Sequence, residues 1–189
     1  MAHDLEIVNG KASMFSVKET PWHKLGTVLD SPPDTETALT EAQANWEVKL
    51  LPLTIAGGTR RVEAFAVLRA TDGKILSHHV GPDFTPLQNA DAFKWFDPFV
   101  KSGEATLETA GVLHGGARVW IMARLNGSIA EIAEGDTVRN YLLLSNAHGI
   151  GESVRIGMTP TRVVCANTLS MAHGNGRLLR IRHTSAIAS

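Results

Sequence analysis

Between positions 46 and 80 the chain writes three strand-length segments in a row, with only turn residues between them. Residues 46–55 alternate well enough for a strand, and Pro52 marks an edge or a bulge because proline donates nothing to a sheet ladder. Gly57-Gly58 turns the chain, residues 61–69 alternate again, Asp72-Gly73 turns it back, and residues 74–80 complete the third strand. An Asp-Gly pair suits a type I′ hairpin, whose two central residues both take positive φ. Three consecutive antiparallel strands are therefore expected.

The rest of the chain is laid out around them. Residues 1–34 carry Gly10, Pro21, Gly26, Pro32 and Pro33 without a sustained period, and read as an N-terminal arm. Met14, Phe15, Trp22 and Leu25 make that arm apolar enough to pack on its own domain or on a neighbouring subunit. Thr35 is placed to cap a short helix ending near Asn45. Leu87, Ala90, Phe93, Trp95, Phe96 and Val100 fall near helical spacing, with Pro98 limiting the last turn. Strand candidates follow at 105–113 and 118–125, joined through His114-Gly-Gly, and at 139–146 and 153–157, joined through His148-Gly-Ile-Gly. Thr159-Pro160 is expected to open a last helix running to about His173. Strands, helix, strands, helix is an α+β pattern and not a repeating βαβ one. The expected architecture is α+β: an antiparallel sheet with a β-β-β-α core, packed helices and an extended arm. The expected divisions are 1–34 for the arm, 35–173 for the core domain and 174–189 for a basic C-terminal segment.

Charge is distributed unevenly over this frame. The 189 residues hold 18 Lys and Arg against 19 Asp and Glu, a net charge of −1. After Glu152 there is no acidic residue, whereas Arg155, Arg162, Arg177, Arg180 and Arg182 all lie there. An acidic body is thus joined to a cationic end, a separation that serves a polyanion or an acidic partner surface. Arg60-Arg61 sits beside the Gly57-Gly58 turn, Lys74 opens the next strand, and Arg155 alternates with Val154 and Ile156 and so faces away from their apolar side. Arg162 is expected in the first turn of the last helix, where it opposes the helix dipole by roughly 0.3–1 kcal/mol unless an anion lies between.

Catalytic signals are weaker. His78, His79, His114 and His148 include no i,i+4 pair and no HExxH, and read as turn or surface histidines with no metal role. Cys165, the only cysteine, excludes an intrachain disulfide and any multi-cysteine zinc site, and in the run Val163-Val164-Cys165-Ala166 it reads as a buried, inert thiol. Gly149-Ile-Gly-Glu lacks the third glycine and the Lys-Ser/Thr end of a phosphate loop and reads as a hairpin turn. The carboxylates are scattered. No catalytic residue, metal or cofactor is expected. The N-terminus lacks the basic and apolar regions of a signal peptide and no apolar run approaches the roughly 20 residues that span a bilayer, so an intracellular, soluble protein is expected.

Longer strings carry a resemblance. They are Asn9-Gly-Lys-Ala-Ser-Met-Phe, Thr20-Pro-Trp-His-Lys-Leu-Gly-Thr, Pro86-Leu-Gln-Asn, Tyr141-Leu-Leu-Leu-Ser-Asn, Gly157-Met-Thr-Pro-Thr-Arg-Val-Val-Cys-Ala-Asn-Thr-Leu and Arg182-His183-Thr184. Together they resemble the phage- and plasmid-related family defined as a domain of unknown function (number nine hundred and thirty-two), over about residues 9–184. Members usually continue into a further C-terminal region, so the resemblance implies a core or a short member. More remotely, a three-stranded antiparallel sheet with a packed helix and a basic surface resembles single-strand annealing proteins of the Rad fifty-two type.

That likeness implies a single-stranded DNA-binding and strand-annealing protein of a mobile element. It would be ATP-independent, not an enzyme, cytoplasmic in a bacterial host and assembled as a homo-oligomeric ring or filament. The expected backbone contacts are Arg60, Arg61, Lys74, Arg155 and Arg162, with Arg177, Arg180 and Arg182 as a secondary strip. The other expectation is a non-enzymatic protein-interaction module working through the same basic end.

Overall fold

The computed structural model describes residues 2–133, 136–149, 151–184 and 187, without the side chains of Ala2, 128–133 and 136–138. Among these residues the fold is α+β and its sheets are mostly antiparallel. A small ribbon pairs β1 (Ile7–Val8) with β2 (Lys11–Ala12). The expected three-strand run forms a sheet of its own, β5 (Val48–Thr54), β6 (Arg61–Arg69) and β7 (Ile75–Val80) in sequence order.

The main sheet is a different one, with seven strands. It contains β8 (Ala105–Leu113), β9 (Arg118–Ala133), β10 (Asp136–Ala147), β11 (Ser153–Thr159) and β12 (Arg177–Arg182), together with β3 (Met14–Val17) and β4 (Thr27–Leu29). Their order across the sheet is β12-β11-β10-β9-β8-β3-β4. The β-β-β-α core expected from the sequence is thus one layer on a larger sheet. Strands β8 to β10 dominate because both faces are buried along residues 105–113, 119–123 and 141–147.

The period-two pattern shows this directly. Val119, Ile121 and Ala123 of β9 share a buried cluster with Leu142 and Leu144 of β10. Against that face pack β5–β7 and three short helices: α1 (Thr35–Glu41), α2 (Asn89–Lys94) and α3 (Asp97–Lys101). The alternate residues Trp120, Met122, Tyr141 and Leu143 form the opposite cluster, covered by α4 (Ala166–Asn175) through Leu169 and Ala172, and by Val163, Val164 and Cys165. Thr109 links the sheet to that cover, since its hydroxyl donates to the Val163 carbonyl at 2.7 Å and accepts from the Trp120 indole N–H at 3.3 Å.

Residues 1–34, expected as an arm, are threaded into the main sheet. β3 lies between β4 and β8, with Met14 opposite Gly111 and Phe15 opposite Ala110. Met14 reaches one apolar face and Phe15 the other, and both are fully buried, so this segment belongs to the core. The basic segment after residue 173 is likewise a strand, β12, in register with β11 over its full length.

Local details depart from expectation for identifiable reasons. Asp34, one residue before Thr35, caps α1: the Thr37 N–H donates to its carboxylate at 2.7 Å. The helix expected over 87–100 is split into α2 and α3, with Pro98 in the first turn of the second. The Asp72-Gly73 hairpin forms, but only Gly73 has positive φ (70°), so the turn is not type I′. Asp72 is held instead by its carboxylate, which accepts from Arg69 Nε at 3.0 Å and from the Lys74 N–H at 3.1 Å. The last helix starts at Ala166 and not at Pro160, because the extended chain of β11 runs on to Thr159 and Cys165 supplies the N-cap. No described helix is long and apolar enough to cross a membrane.

Candidate nucleic-acid interface

The β11–β12 ladder decides which basic residues meet. Arg155 lies directly opposite Arg180, and Ser153 opposite Arg182. Cross-strand partners share a face, so Arg155, Arg180 and Arg182 stand together on the α4 side of the sheet. Arg118 joins them from β9, where period two puts it on the same face as Trp120 and opposite Ala147 of β10. The gathering of cations registers in their proton affinities. Burial first, then Arg180 and Arg118, pull the Arg155 guanidinium below its ordinary pKa. On α4, burial and the three arginines Arg155, Arg118 and Arg180 depress His173 to about 4, so it is neutral at pH 7.

One carboxylate enters this group. Glu152 accepts from Arg118 Nη2 at 2.6 Å. Like charges directly opposite on neighbouring strands destabilise a sheet. Arg155 and Arg180 have no ion pair to a described carboxylate.

Three clefts adjoin at this end of the sheet. One of about 670 Å³ is lined by Phe84, Glu152, Arg180, Arg182 and His183, with the His183 ring stacked on Phe84 at 4.8 Å. A second, of about 470 Å³, brings His78, His79 and His114 around Arg118 and Glu152. The third, of about 300 Å³, runs between α4 and the β8–β9 turn and is lined by His114, Arg118, Asn167, Ser170 and His173. Among the described residues no three His, Cys, Asp or Glu side chains are grouped to hold a metal ion.

The other basic candidates lie elsewhere. Arg177 alternates onto the far face of β12, beside Leu179 and Ile181. Lys74 Nζ is 3.2 Å from Glu6, which also receives a two-pronged bond from Arg69 at 2.9 Å and 2.9 Å. Arg162 is in the connection before α4 and not in its first turn. Its Nε donates to Glu108 at 3.2 Å, and its Nη1 lies 3.6 Å from Glu19. Arg60 and Arg61 are exposed at the tip of the β5–β6 hairpin, in the other sheet.

Histidine 148 also departs from the turn-or-surface expectation. It is fully buried, and its Nε2 faces Asn89 Oδ1 at 3.1 Å. Asn89 Nδ2 donates to the Ala44 carbonyl at 3.0 Å, so its oxygen accepts and His148 Nε2 carries the proton. Burial holds this ring neutral, with a pKa of about 3. Cys165 is buried and unpaired, as expected.

His173 and His183 are visible in the sequence only as part of the end that lacks carboxylates, and Arg118, Glu152 and Phe84 are not singled out by it at all. Of these three only Arg118 leaves a trace, as a charged end of the alternate-residue set Arg118, Trp120, Met122, Arg124. A family model described as Domain of unknown function (DUF932) matches residues 77–189. The chain belongs to that family. The DUF932 match contains the whole Arg118–Arg155–Arg180–Arg182 cluster with His173, and it leaves out Arg60, Arg61 and Lys74. No curated protein and no solved structure matches the chain.

Proposed function

We propose that this DUF932 protein binds single-stranded DNA through the α4 side of β11–β12 and anneals complementary strands without nucleotide hydrolysis. In this reading it is a non-enzymatic homo-oligomer of a phage or plasmid, acting in the bacterial cytoplasm. The observation that carries it is the Arg155–Arg180 cross-strand pair, neither member ion-paired to a described carboxylate, flanked by Arg118 and Arg182. A sheet retains such a pair at a cost in stability, and a phosphate backbone removes that cost while releasing counterions. Backbone gripping leaves base edges free to find a complement, which annealing requires.

The test is fluorescence anisotropy of a labelled oligonucleotide, single- against double-stranded, across a salt series. The expected result is salt-sensitive preference for the single strand. In Arg155→Ala and Arg180→Ala the log–log slope falls by about 0.7 for each phosphate no longer neutralised. Absence of binding at roughly 50 mM salt, or slopes unchanged in both variants, sinks the reading. A second reading has an observation of its own: Leu179 (72% exposed), Ile181 and Met158 crowd the opposite side of the same ribbon. A protein-interaction module would use that apolar side, and binding abolished by Leu179→Ser but insensitive to Arg180→Ala would select it.

A further inference from the structure

We infer that the cleft between α4 and the β8–β9 turn is a seat for a single phosphate group, built from Arg118, His114 and His173 with Asn167 and Ser170. The cleft, of about 300 Å³, has room for such a group together with the water that hydrates it. Its polar lining is cationic or titratable to cation, plus an amide and a hydroxyl, the donor set that phosphate oxygens take. Arg118 spends one nitrogen on Glu152, and its guanidinium has five N–H donors in all. His173 Nε2 is itself buried and has no hydrogen-bond partner among the described residues, so it lies beneath the lining and not on its open surface.

The groups that face His173 set the sign of the proton linkage. Arg118 comes from β9, Arg155 from β11, Arg180 from β12, and His114 from the turn. The short turn at Ala2–Asp4 also packs on α4, adding His3 and Asp4, and the Asp4 carboxylate lies 4.0 Å from His114 Nδ1. Burial first, and then the arginines, which outnumber the carboxylates, hold the ring neutral. A phosphate placed among them reverses the local potential, so occupancy and protonation of His173 favour each other. Falling pH, from 7.5 to 5.5, charges the ring but also takes inorganic phosphate through its second ionisation in the same window, so the ring's part is read as the difference between the parent chain and a variant that cannot protonate.

The inference goes beyond strand binding but rests on the same cationic face. It is tested on the full chain by isothermal titration with inorganic phosphate at both pH values, in parallel with 5′-phosphorylated and 5′-hydroxyl oligonucleotides. The variants are Ser170→Glu, an exposed position where a carboxylate occupies the seat, and His173→Gln, which keeps bulk but cannot protonate. Phosphate binding is expected to weaken about tenfold or more in Ser170→Glu, and the ratio of affinities at pH 5.5 and pH 7.5 to fall in His173→Gln relative to the parent chain.

Preference for the 5′-phosphorylated strand assigns the seat to a nucleic-acid end. Phosphate binding without that preference assigns it to a small phosphate monoester. Failure of phosphate to bind, or binding that neither variant alters, overturns the seat. Since the unphosphorylated oligonucleotide reports on the strand surface alone, loss of that binding with phosphate retained overturns the strand reading and leaves the seat standing.

Discussion

Two buried groups set the energetics at the scale of single residues, and neither is part of the proposed interface. Glu6 and Arg69 are almost wholly enclosed and share two 2.9 Å bonds, with Lys74 and Asp72 completing the charge pattern and Arg69 lying over the Trp46 ring at 5.2 Å. Removing one partner leaves the other a buried charge held only by a half-exposed ion partner, Asp72 for Arg69 or Lys74 for Glu6, whereas removing both leaves no buried charge. Glu6→Gln or Arg69→Met is expected to lower unfolding free energy by about 3–5 kcal/mol, and the double replacement by less than either alone; urea denaturation measures all three. His148 governs the acid side. Its folded pKa of about 3 lies below the ordinary 6.5, so the unfolded chain binds the proton more tightly. The contribution is complete above pH 6.5 and is lost as pH falls from there toward 3, at up to about 1.4 kcal/mol per pH unit. His173, depressed to about 4, acts in the same direction. In His148→Gln the drop in urea midpoint between pH 7 and pH 5 should shrink markedly; an undiminished drop would show that this ring is not the titrating group.

At the scale of elements, local pattern is a good guide and partnership is not. Residues 61–69 and 105–113 are strands with the expected bounds, because period-two alternation ended by glycine or a turn is a short-range signal. The four-member basic face is only partly legible: Arg155, Arg180 and Arg182 stand out in a stretch free of carboxylates, and Arg118 does not. Lys74 and Arg162 look free in the sequence because their carboxylates, Glu6 and Glu108, lie 68 and 54 residues away, where no spacing rule reaches. The last helix is expected too early because Pro160 suits a helical first turn and equally suits the end of a strand. What brings β12 close enough to complete the basic face is Gly157, whose absent side chain leaves room for the Arg177 carbonyl. Gly157→Val is expected to push β12 outward, cutting oligonucleotide affinity while near-ultraviolet circular dichroism of the Trp120 side stays native. Retained affinity would mean that β12 is dispensable to the surface.

At the scale of the molecule, the family match and the folding unit do not coincide. The match begins at residue 77, yet β8 takes its second neighbour from β3, and the layer over the first apolar face includes α1, β5 and β6. A fragment of residues 77–189 would expose Phe93, Phe96 and the β8 edge, all covered in the full chain. It is expected to lack a cooperative thermal transition, and deletion of residues 1–17 alone should abolish the transition as well. A sharp melt in either truncated chain would restore the reading of the first residues as an arm. The pairing of β3 with β8 also carries a cost in time. Met14 and its partner Gly111 are 97 positions apart. At synthesis rates of about 5–20 residues per second, the first core strand to leave the ribosome waits roughly 5–20 s for the strand that receives it. Through that interval the apolar Met14 and Phe15 are free to meet a chaperone, or the same segment of a neighbouring nascent chain, so for this protein the density of ribosomes on its message becomes a determinant of folding yield.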